Sequence, residues 1–490
     1  MSMSEADARK RTSGSDANGP DEGHVTREQW KSTALAAMAN YIDAGSIVAG
    51  AAGLALWSNL FHMSHTFVGV LGAFSSNAIS AGVGALIGGR ICDLLGRKRI
   101  YQYDLLVYAF GILWIVFAQT AWMLVVGYVI VGLAVGADVP ASWTLIAEDA
   151  PAKARGKLSG LAQVFWNAGP VVTLMLSLIC SPLGVLGVRI VFAHLFVVAI
   201  VTWSLRQGMA ESARWTAQAR NAAAPNPPGP AGERPARAPA AANAVALSNV
   251  RTLLSGRNVG ALLFLMGMYG IWNLEAGTGG FFFPYILRTV GSQSQAVSVA
   301  VQCFGFILSA ASVAVIFMPL NDRVNRRVLF GISAAIQVIG YLFFVFFPLT
   351  LAIALANVIL LNIGGGFGQQ PFFQVWSGEL FPTMLRSTAQ GLMFAVVRIG
   401  LGIWSFFVPG LAATGFHTLA LFLQVKDFKP LSRPFLQLLS QPDSCHVAQT
   451  HEAHGVATAV CGSKRLVEVR RICCYAPFAT PSGGNGCASK

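Results

Sequence analysis

The stretch Gly89-Arg-Ile-Cys-Asp93-Leu-Leu-Gly96-Arg97-Lys98 follows an apolar run, and part of it returns 229 residues later as Asp322-Arg-Val-Asn-Arg326-Arg327. A second signature, Glu148-Asp-Ala-Pro-Ala-Lys-Ala-Arg155, returns 231 residues later as Glu379-Leu-Phe-Pro-Thr-Met-Leu-Arg386. Each copy lies at the same place within its half of the apolar sequence. The repetition therefore predicts two parallel copies of one helical bundle, an arrangement typical of membrane transporters with a substrate site between the copies.

The composition supports a membrane protein. Of the 490 residues, 54% are hydrophobic and only 11% are charged, and the mean hydropathy is +0.58. Soluble domains carry about 25% charged residues, so the composition argues against a disordered chain and against a conventional soluble enzyme. One membrane-spanning helix needs about 20 apolar residues, and this chain has room for more than ten.

Apolar runs of that length occur in a group of six and a group of five. The predicted spans are 32–57, 66–91, 100–119, 121–146, 158–179, 184–205, 258–286, 296–318, 328–347, 349–377 and 388–414. The connections that follow the even-numbered spans hold most of the basic residues. By the positive-inside rule, the N-terminus and these connections are cytoplasmic. The net charge of +13 is then explained by topology, so no nucleic-acid partner is expected.

The predicted domains follow from these spans. They are an N-terminal cytoplasmic arm (1–31), a six-helix bundle (32–205), a cytoplasmic linker (206–257), a second bundle (258–423) and a polar, cysteine-rich tail (424–490). A twelfth span begins at Gly415 and stops at Gln424, so we expect the last helix to be truncated or replaced. The cysteines and histidines of the tail match no metal-ligand spacing, and no metal site is predicted.

The loop signatures resemble those of the major facilitator superfamily. Gly89-x3-Asp93-x2-Gly96-Arg97-Lys98 is similar to the motif of this superfamily between its second and third helices. The two Glu-x2-Pro-x3-Arg signatures and Glu211-Ser212-x-Arg214-Trp215 resemble its sugar-porter and metabolite:proton symporter branch. The resemblance implies an all-α membrane protein of two six-helix bundles that rock about a central site. It also implies a cytoplasmic latch, or gate, formed by Gly89, Asp93, Gly96, Arg97, Lys98, Glu148, Arg155, Asp322, Arg326, Glu379 and Arg386.

Within the latch, Asp93 and Arg97 are expected to form an exposed ion pair at a helix end. Such pairs stabilise a fold by only about 0–1 kcal/mol. They can still bias an equilibrium between two states that differ by a few kcal/mol. The alternative interpretation is that these residues merely mark the cytoplasmic face.

Three carboxyl groups inside predicted spans are candidates for proton coupling: Asp43, Asp138 and Glu275. An ionisable group at mid-bilayer is costly, and a functional role is its usual explanation. Asp43 is the strongest candidate because apolar helix flanks it on both sides. Asp104 is expected to reach the cytoplasmic interface, and the glycine-rich run around Glu275 would allow an unwound helix. The alternative for each carboxyl group is a structural ion pair or helix contact.

The candidate substrate-binding residues are Arg398, Gln163, Asn167, Asn273, Gln370 and Gln374. Arg398 offers a partner for a substrate carboxylate, or it pairs with Asp43 or Glu275. The amides suit the hydroxyl groups of a sugar or polyol, although such amides also bond helix to helix. The substrate therefore stays open between an organic acid and a sugar or polyol.

The sequence predicts proton-coupled symport of a small polar metabolite by alternating access. The alternatives are a drug-efflux antiporter and a membrane receptor that has lost transport. No nucleotide-binding or hydrolase motif occurs, so neither an enzyme nor a cofactor is expected. The predicted partners are the small-molecule substrate, the proton and the lipid bilayer of the cell membrane, and the predicted oligomeric state is a monomer.

Overall fold

The computed structural model describes residues 25–209, 211–212, 215–217, 253–254, 256–289, 291–348, 350–381 and 383–414. Most of the predicted N-terminal arm, most of the linker with Arg214, and the polar tail with the interrupted twelfth span lie outside these residues. The described part of the chain is helical and contains no strand.

The N-terminal half consists of seven helices: α1 Arg27–Leu60, α2 His65–Ala73, α3 Ile79–Leu95, α4 Arg97–Val116, α5 Ala121–Asp149, α6 Arg155–Ile179 and α7 Val185–Arg206. α1 begins inside the predicted arm because Thr26 and Gln29 form a capping box: the Gln29 N–H donates to Thr26 Oγ1 (3.2 Å) and the Thr26 N–H donates to Gln29 Oε1 (2.9 Å). The second predicted span is not continuous, since residues 74–78 separate α2 from α3.

The C-terminal half begins with α8 Gly256–Thr289 and α9 Gln295–Ser312; a π-helical segment, Val313–Phe317, and one turn, Met318–Leu320, extend α9. It continues with α10 Arg326–Phe346, α11 Leu351–Gly366, α12 Gln369–Leu380 and α13 Thr383–Thr414. The glycine-rich run around Glu275, which would allow an unwound helix, is not unwound: α8 stays helical through its glycines. The tenth predicted span is instead broken at Phe367 and Gly368.

Nine helices or helical runs in the described part of the chain are long and apolar enough to cross a membrane. The two predicted spans missing from this set are the second and the third. α2 and α3 are short because of the break between them, with 9 and 17 residues. α4 begins with three basic residues, Arg97, Lys98 and Arg99, and also contains Asp104, so these charges lower its hydropathy. The fold is thus the predicted all-α membrane protein.

The two halves meet mainly along four helix pairs: α3 with α13, α2 with α13, α6 with α9, and α1 with α8. Glycines bring the first pair together. A Cβ atom at Gly89 would lie 2.6 Å from the Ser387 carbonyl oxygen, and one at Gly391 would overlap the carbonyl oxygen of Ala85. Small residues of this kind allow the close backbone approach that helix packing in membranes depends on. Gly89 therefore acts in this interface through its lack of a side chain.

Candidate functional site

A cavity of about 120 Å³ lies between the two halves. α6 of the N-terminal half supplies one wall, and α8, α9, α11 and α12 of the C-terminal half supply the rest. The polar and aromatic lining residues are Gln163, Trp166, Asn167, Trp272, Glu275, Phe283, Gln302, Phe306, Ser309, Asn357, Asn362 and Gln370. Four predicted site residues, Gln163, Asn167, Glu275 and Gln370, thus line one cavity. Among the described residues around it, Glu275 is the only ionisable one.

Several buried amides around this cavity keep hydrogen-bonding capacity. Gln163 Nε2 donates to Gln374 Oε1 across the two halves (2.7 Å), which leaves the Gln374 amide nitrogen without a partner among the described residues. Asn167 Oδ1 and Gln302 Oε1 likewise have no described partner. Buried polar groups are normally hydrogen-bonded, so these atoms mark positions where a polar ligand can bind.

Asp43 and Arg398 form the charged pair nearest the cavity. Arg398 and Asn273 line a smaller neighbouring cavity together with Gln370 and Trp272. Arg398 Nη2 lies 3.8 Å from Asp43 Oδ2, and the exposed fractions of Arg398 and Asp43 are 4% and 2%. Arg398 Nη1 also donates to the Asn77 carbonyl oxygen (3.2 Å). Of the partners that the sequence left open for Arg398, the structure places Asp43 beside it.

The first charge cluster, Asp93, Arg97, Glu148 and Arg386, lies where α3 and α4 meet the start of α13. Arg97 Nη2 contacts Glu148 Oε1 (2.6 Å) and Asp93 Oδ1 (3.4 Å). Asp93 Oδ2 accepts hydrogen bonds from the backbone N–H and the hydroxyl group of Thr388 (2.6 and 2.7 Å). These bonds join the two halves of the molecule.

The expectation of an exposed pair is wrong for Asp93 and Arg97. Arg97 is 1% exposed and Asp93 is 6% exposed, because α13 covers both side chains. Arg386 Nη1 lies 3.9 Å from Glu148 Oε1. Charged hydrogen bonds shielded from water are worth more than surface pairs, about 1.5–3 kcal/mol each.

Gly96 and Glu211 hold the turn between α3 and α4. Gly96 has a φ of 94°, a left-handed conformation that glycine adopts without steric cost. The Glu211 carboxylate accepts hydrogen bonds from the backbone N–H groups of Arg97 and Lys98 (3.1 Å each). An acidic group at a helix N-terminus satisfies free N–H groups and complements the helix dipole. Lys98 thus contributes its backbone to the turn.

The second charge cluster, Arg155, Asp322, Arg326 and Glu379, repeats this arrangement with the halves exchanged. Arg326 contacts Glu379 (2.8 Å) and Asp322 (3.2 Å). Arg155, at the start of α6, lies 3.4 Å from Glu379, and the neighbouring Gly156 N–H donates to Asp322 Oδ1 (3.3 Å). Both clusters therefore connect a carboxylate of one half to a helix start of the other.

Asp138 lies apart from the cavity, in a buried triad with Asp104 and Arg206. Arg206 Nη1 contacts Asp138 Oδ2 (2.8 Å) and Asp104 Oδ2 (3.5 Å). The expected position of Asp104 at the interface is wrong, since Asp104 is 6% exposed. Arg206 closes the triad from the end of α7.

Side chains also join the two halves at the other end of the molecule. Tyr285 on α8 and His65 on α2 form a hydrogen bond (3.3 Å), and Gln295 Nε2 on α9 donates to the Ala52 carbonyl oxygen on α1 (2.9 Å). These contacts join the two halves at the opposite end from the charge clusters. Contacts between the two halves therefore lie on both sides of the cavity.

Sequence reasoning missed several residues of this site. Trp166 follows Gln163 by three residues and precedes Asn167, so helical periodicity places all three on one face and could have identified it. Gln302 and Ser309 also share a helix face, seven residues apart. Asn357 and Asn362 are isolated amides in an apolar run and give no such signal.

Known proteins resemble this chain over most of its length. The sequence profile described as Major Facilitator Superfamily matches residues 33–414. The minor myo-inositol transporter IolF of Bacillus subtilis (strain 168) is 48% identical over 379 residues, which are 77% of this chain and 83% of IolF. The arabinose-proton symporter of the same organism is 26% identical over 373 residues, 71% of this chain and 77% of that protein. A structure of the proton:xylose symporter XylE of E. coli has the same fold, with a TM-score of 0.65 at 16% identity, covering 81% of this chain and 94% of XylE.

Proposed function

Because the chain belongs to the major facilitator superfamily, we propose that it transports a neutral cyclic polyol or sugar across a membrane together with a proton. The observation that carries this proposal is the amide-lined cavity between the two halves. The similarity to a myo-inositol transporter over 83% of its length supports the substrate class.

The charges around the cavity favour a neutral substrate over an organic acid. Arg398, the cation that would bind a carboxylate, lies 3.8 Å from Asp43 and is already balanced by it. The one ionisable residue of the lining among the described residues, Glu275, is acidic, so the lining itself supplies no cation for a carboxylate. Gln163, Asn167, Asn273, Gln370 and Gln374 offer donors and acceptors for hydroxyl groups.

Asp43 is the proposed proton carrier. Its Oδ1 atom has no hydrogen-bond partner among the described residues, and its contact with Arg398 is long. A proton on Asp43 would release Arg398, and the return of Arg398 would favour loss of the proton. Glu275 and Asp138 stay secondary candidates for coupling.

The two charge clusters are the proposed gate. They close one end of the molecule and would separate when the halves rock, so that the cavity opens toward the cytoplasm. In this proposal the N-terminus and the central linker are cytoplasmic, the protein acts as a monomer in the cell membrane, and no catalytic chemistry is involved.

Uptake of radiolabelled myo-inositol into proteoliposomes with an inward proton gradient tests the proton carrier. Asp43→Asn is expected to abolish accumulation above the outside concentration while exchange of myo-inositol at equal concentrations persists, because the variant binds substrate but no proton. Ser46→Ala is the matched control, since Ser46 is a buried neutral residue one turn away on α1. Full accumulation by Asp43→Asn would refute this role.

A further inference from the structure

Arg206 lies at the centre of a buried charge network that is separate from Asp43, the proposed proton carrier. Its Nε and Nη2 groups donate to the carbonyl oxygens of Leu35 and Ala36 on α1 (3.0 and 3.1 Å). Its guanidinium group lies over the Tyr101 ring, 4.4 Å from the centroid. Its Nη1 atom contacts both Asp138 and Asp104. One buried arginine thus joins α1, α4, α5 and α7.

The triad has two carboxyl groups and one guanidinium group. Arg206, Asp104 and Asp138 are 1%, 6% and 3% exposed. If both carboxyl groups were ionised, the triad would carry one uncompensated negative charge away from water, which is strongly unfavourable. Two carboxyl groups at one site generally resolve such a conflict by sharing a proton.

Asp104 is the better carrier of this proton. Both oxygens of Asp138 are engaged at short range, Oδ2 by Arg206 (2.8 Å) and Oδ1 by the Ser142 hydroxyl group (2.8 Å), as expected for a carboxylate. Asp104 Oδ1 accepts a hydrogen bond from the Leu105 N–H (2.7 Å), but its Oδ2 atom lies farther from Arg206 than Asp138 does, at 3.5 Å. The Asp138–Arg206 contact is then the ion pair, and Asp104 is its neutral neighbour.

We propose that Asp104, Asp138 and Arg206 form a second proton-binding site, separate from Asp43, which holds one proton in this state. The groups that face it are Tyr101 from α4, Ser142 from α5 and two backbone carbonyl groups from α1. The next ionisable groups are Asp43, about two turns farther along α1, and Cys92 on α3, which packs in the same cluster as Tyr101. None of these described neighbours supplies a second positive charge.

Infrared spectroscopy of the purified protein in lipid tests the site without substrate or transport. In slightly alkaline buffer exposed carboxyl groups are ionised, so a C=O stretch of a protonated carboxylic acid reports a sheltered proton. The spectrum of Asp104→Asn is subtracted from that of the unaltered protein, and any contribution from Asp43 cancels. We expect a carboxylic-acid band in this difference.

Asp138→Asn makes an independent test. It leaves Asp104 as the single carboxyl partner of Arg206, so Asp104 should ionise and the same band should appear in its difference spectrum. Asp322→Asn, in the second charge cluster, is the matched control and should give no such band. Absence of the band from both triad differences would overturn the proposal. If Asp104→Asn does not fold, the difference spectrum of Asp138→Asn tests the proposal by itself. If transport measurements showed that the protein is not a proton symporter, the interpretation of these infrared spectra would not change.

Discussion

Single side chains of the cavity decide which molecule it holds. Gln370 lines both the larger and the smaller cavity and is 3% exposed. Its amide can donate and accept at once, which matches the hydroxyl groups of a polyol. In the proposed function, recognition by this site therefore depends on hydrogen bonds rather than on charge.

Gln370→Leu is expected to raise the KM for myo-inositol about tenfold. The substitution keeps the size of the side chain but leaves a substrate hydroxyl group unpaired, which costs about 1–3 kcal/mol. Initial rates of uptake into proteoliposomes measure this change. Gln119→Leu, at an exposed position outside the helices, is the control. An unchanged KM in Gln370→Leu would show that the substrate does not contact this amide.

The sequence predicted some of these residues and could not predict others. Asp43 and Arg398 stand out because charged residues are rare within spans, but only the fold brings α1 and α13 together. Arg206 was overlooked because an arginine at the end of a span normally reaches the membrane interface. Here its side chain turns inward to Asp138, and tertiary packing decides this direction.

At the scale of helices, the first charge cluster depends on how α13 packs against α3. Local sequence predicts that Asp93 and Arg97 lie at helix ends, where exposure to water is usual. The glycines at 89 and 391 allow a close approach of the two helices, and this approach buries the charges. The burial is therefore a consequence of a contact between positions about 300 residues apart (Gly89 and Gly391).

Asp93→Ala is expected to open this contact. It removes the acceptor of both Thr388 hydrogen bonds, and loss of even one charged hydrogen bond, at about 1.5–3 kcal/mol, shifts the equilibrium between closed and open forms about tenfold or more. Cys92 provides the measurement, because this buried thiol lies 3.3 Å from Ser387 Oγ on α13. With the other seven of the eight cysteines replaced by serine, maleimide labelling of Cys92 should become about tenfold faster.

Lys98→Ala is the control for this experiment. Lys98 takes part in the turn through its backbone N–H, which the substitution keeps, so the labelling rate should not change. If Cys92 is labelled at the same rate in Asp93→Ala and in the protein that keeps Asp93, the cluster does not hold this end of the molecule closed.

At the scale of the whole molecule, the same arrangement of charged residues occurs in both halves. In the first charge cluster a carboxylate of the N-terminal half contacts a helix of the C-terminal half, and in the second cluster the halves are reversed. Contacts join the halves at both ends. The duplication was predictable from the repeated loop signatures. The contacts at both ends were not, because the states of a protein that changes conformation differ by only a few kcal/mol and the sequence does not rank them.

In the proposed function, the two halves rock about the cavity and the substrate crosses the membrane only together with a proton. The most direct test is the pH of a weakly buffered medium around proteoliposomes to which myo-inositol is added with no imposed proton gradient. The account predicts that entry of myo-inositol draws protons inward, so that the medium becomes more alkaline, and that Asp43→Asn abolishes this change. Entry of myo-inositol without any change in pH would contradict it.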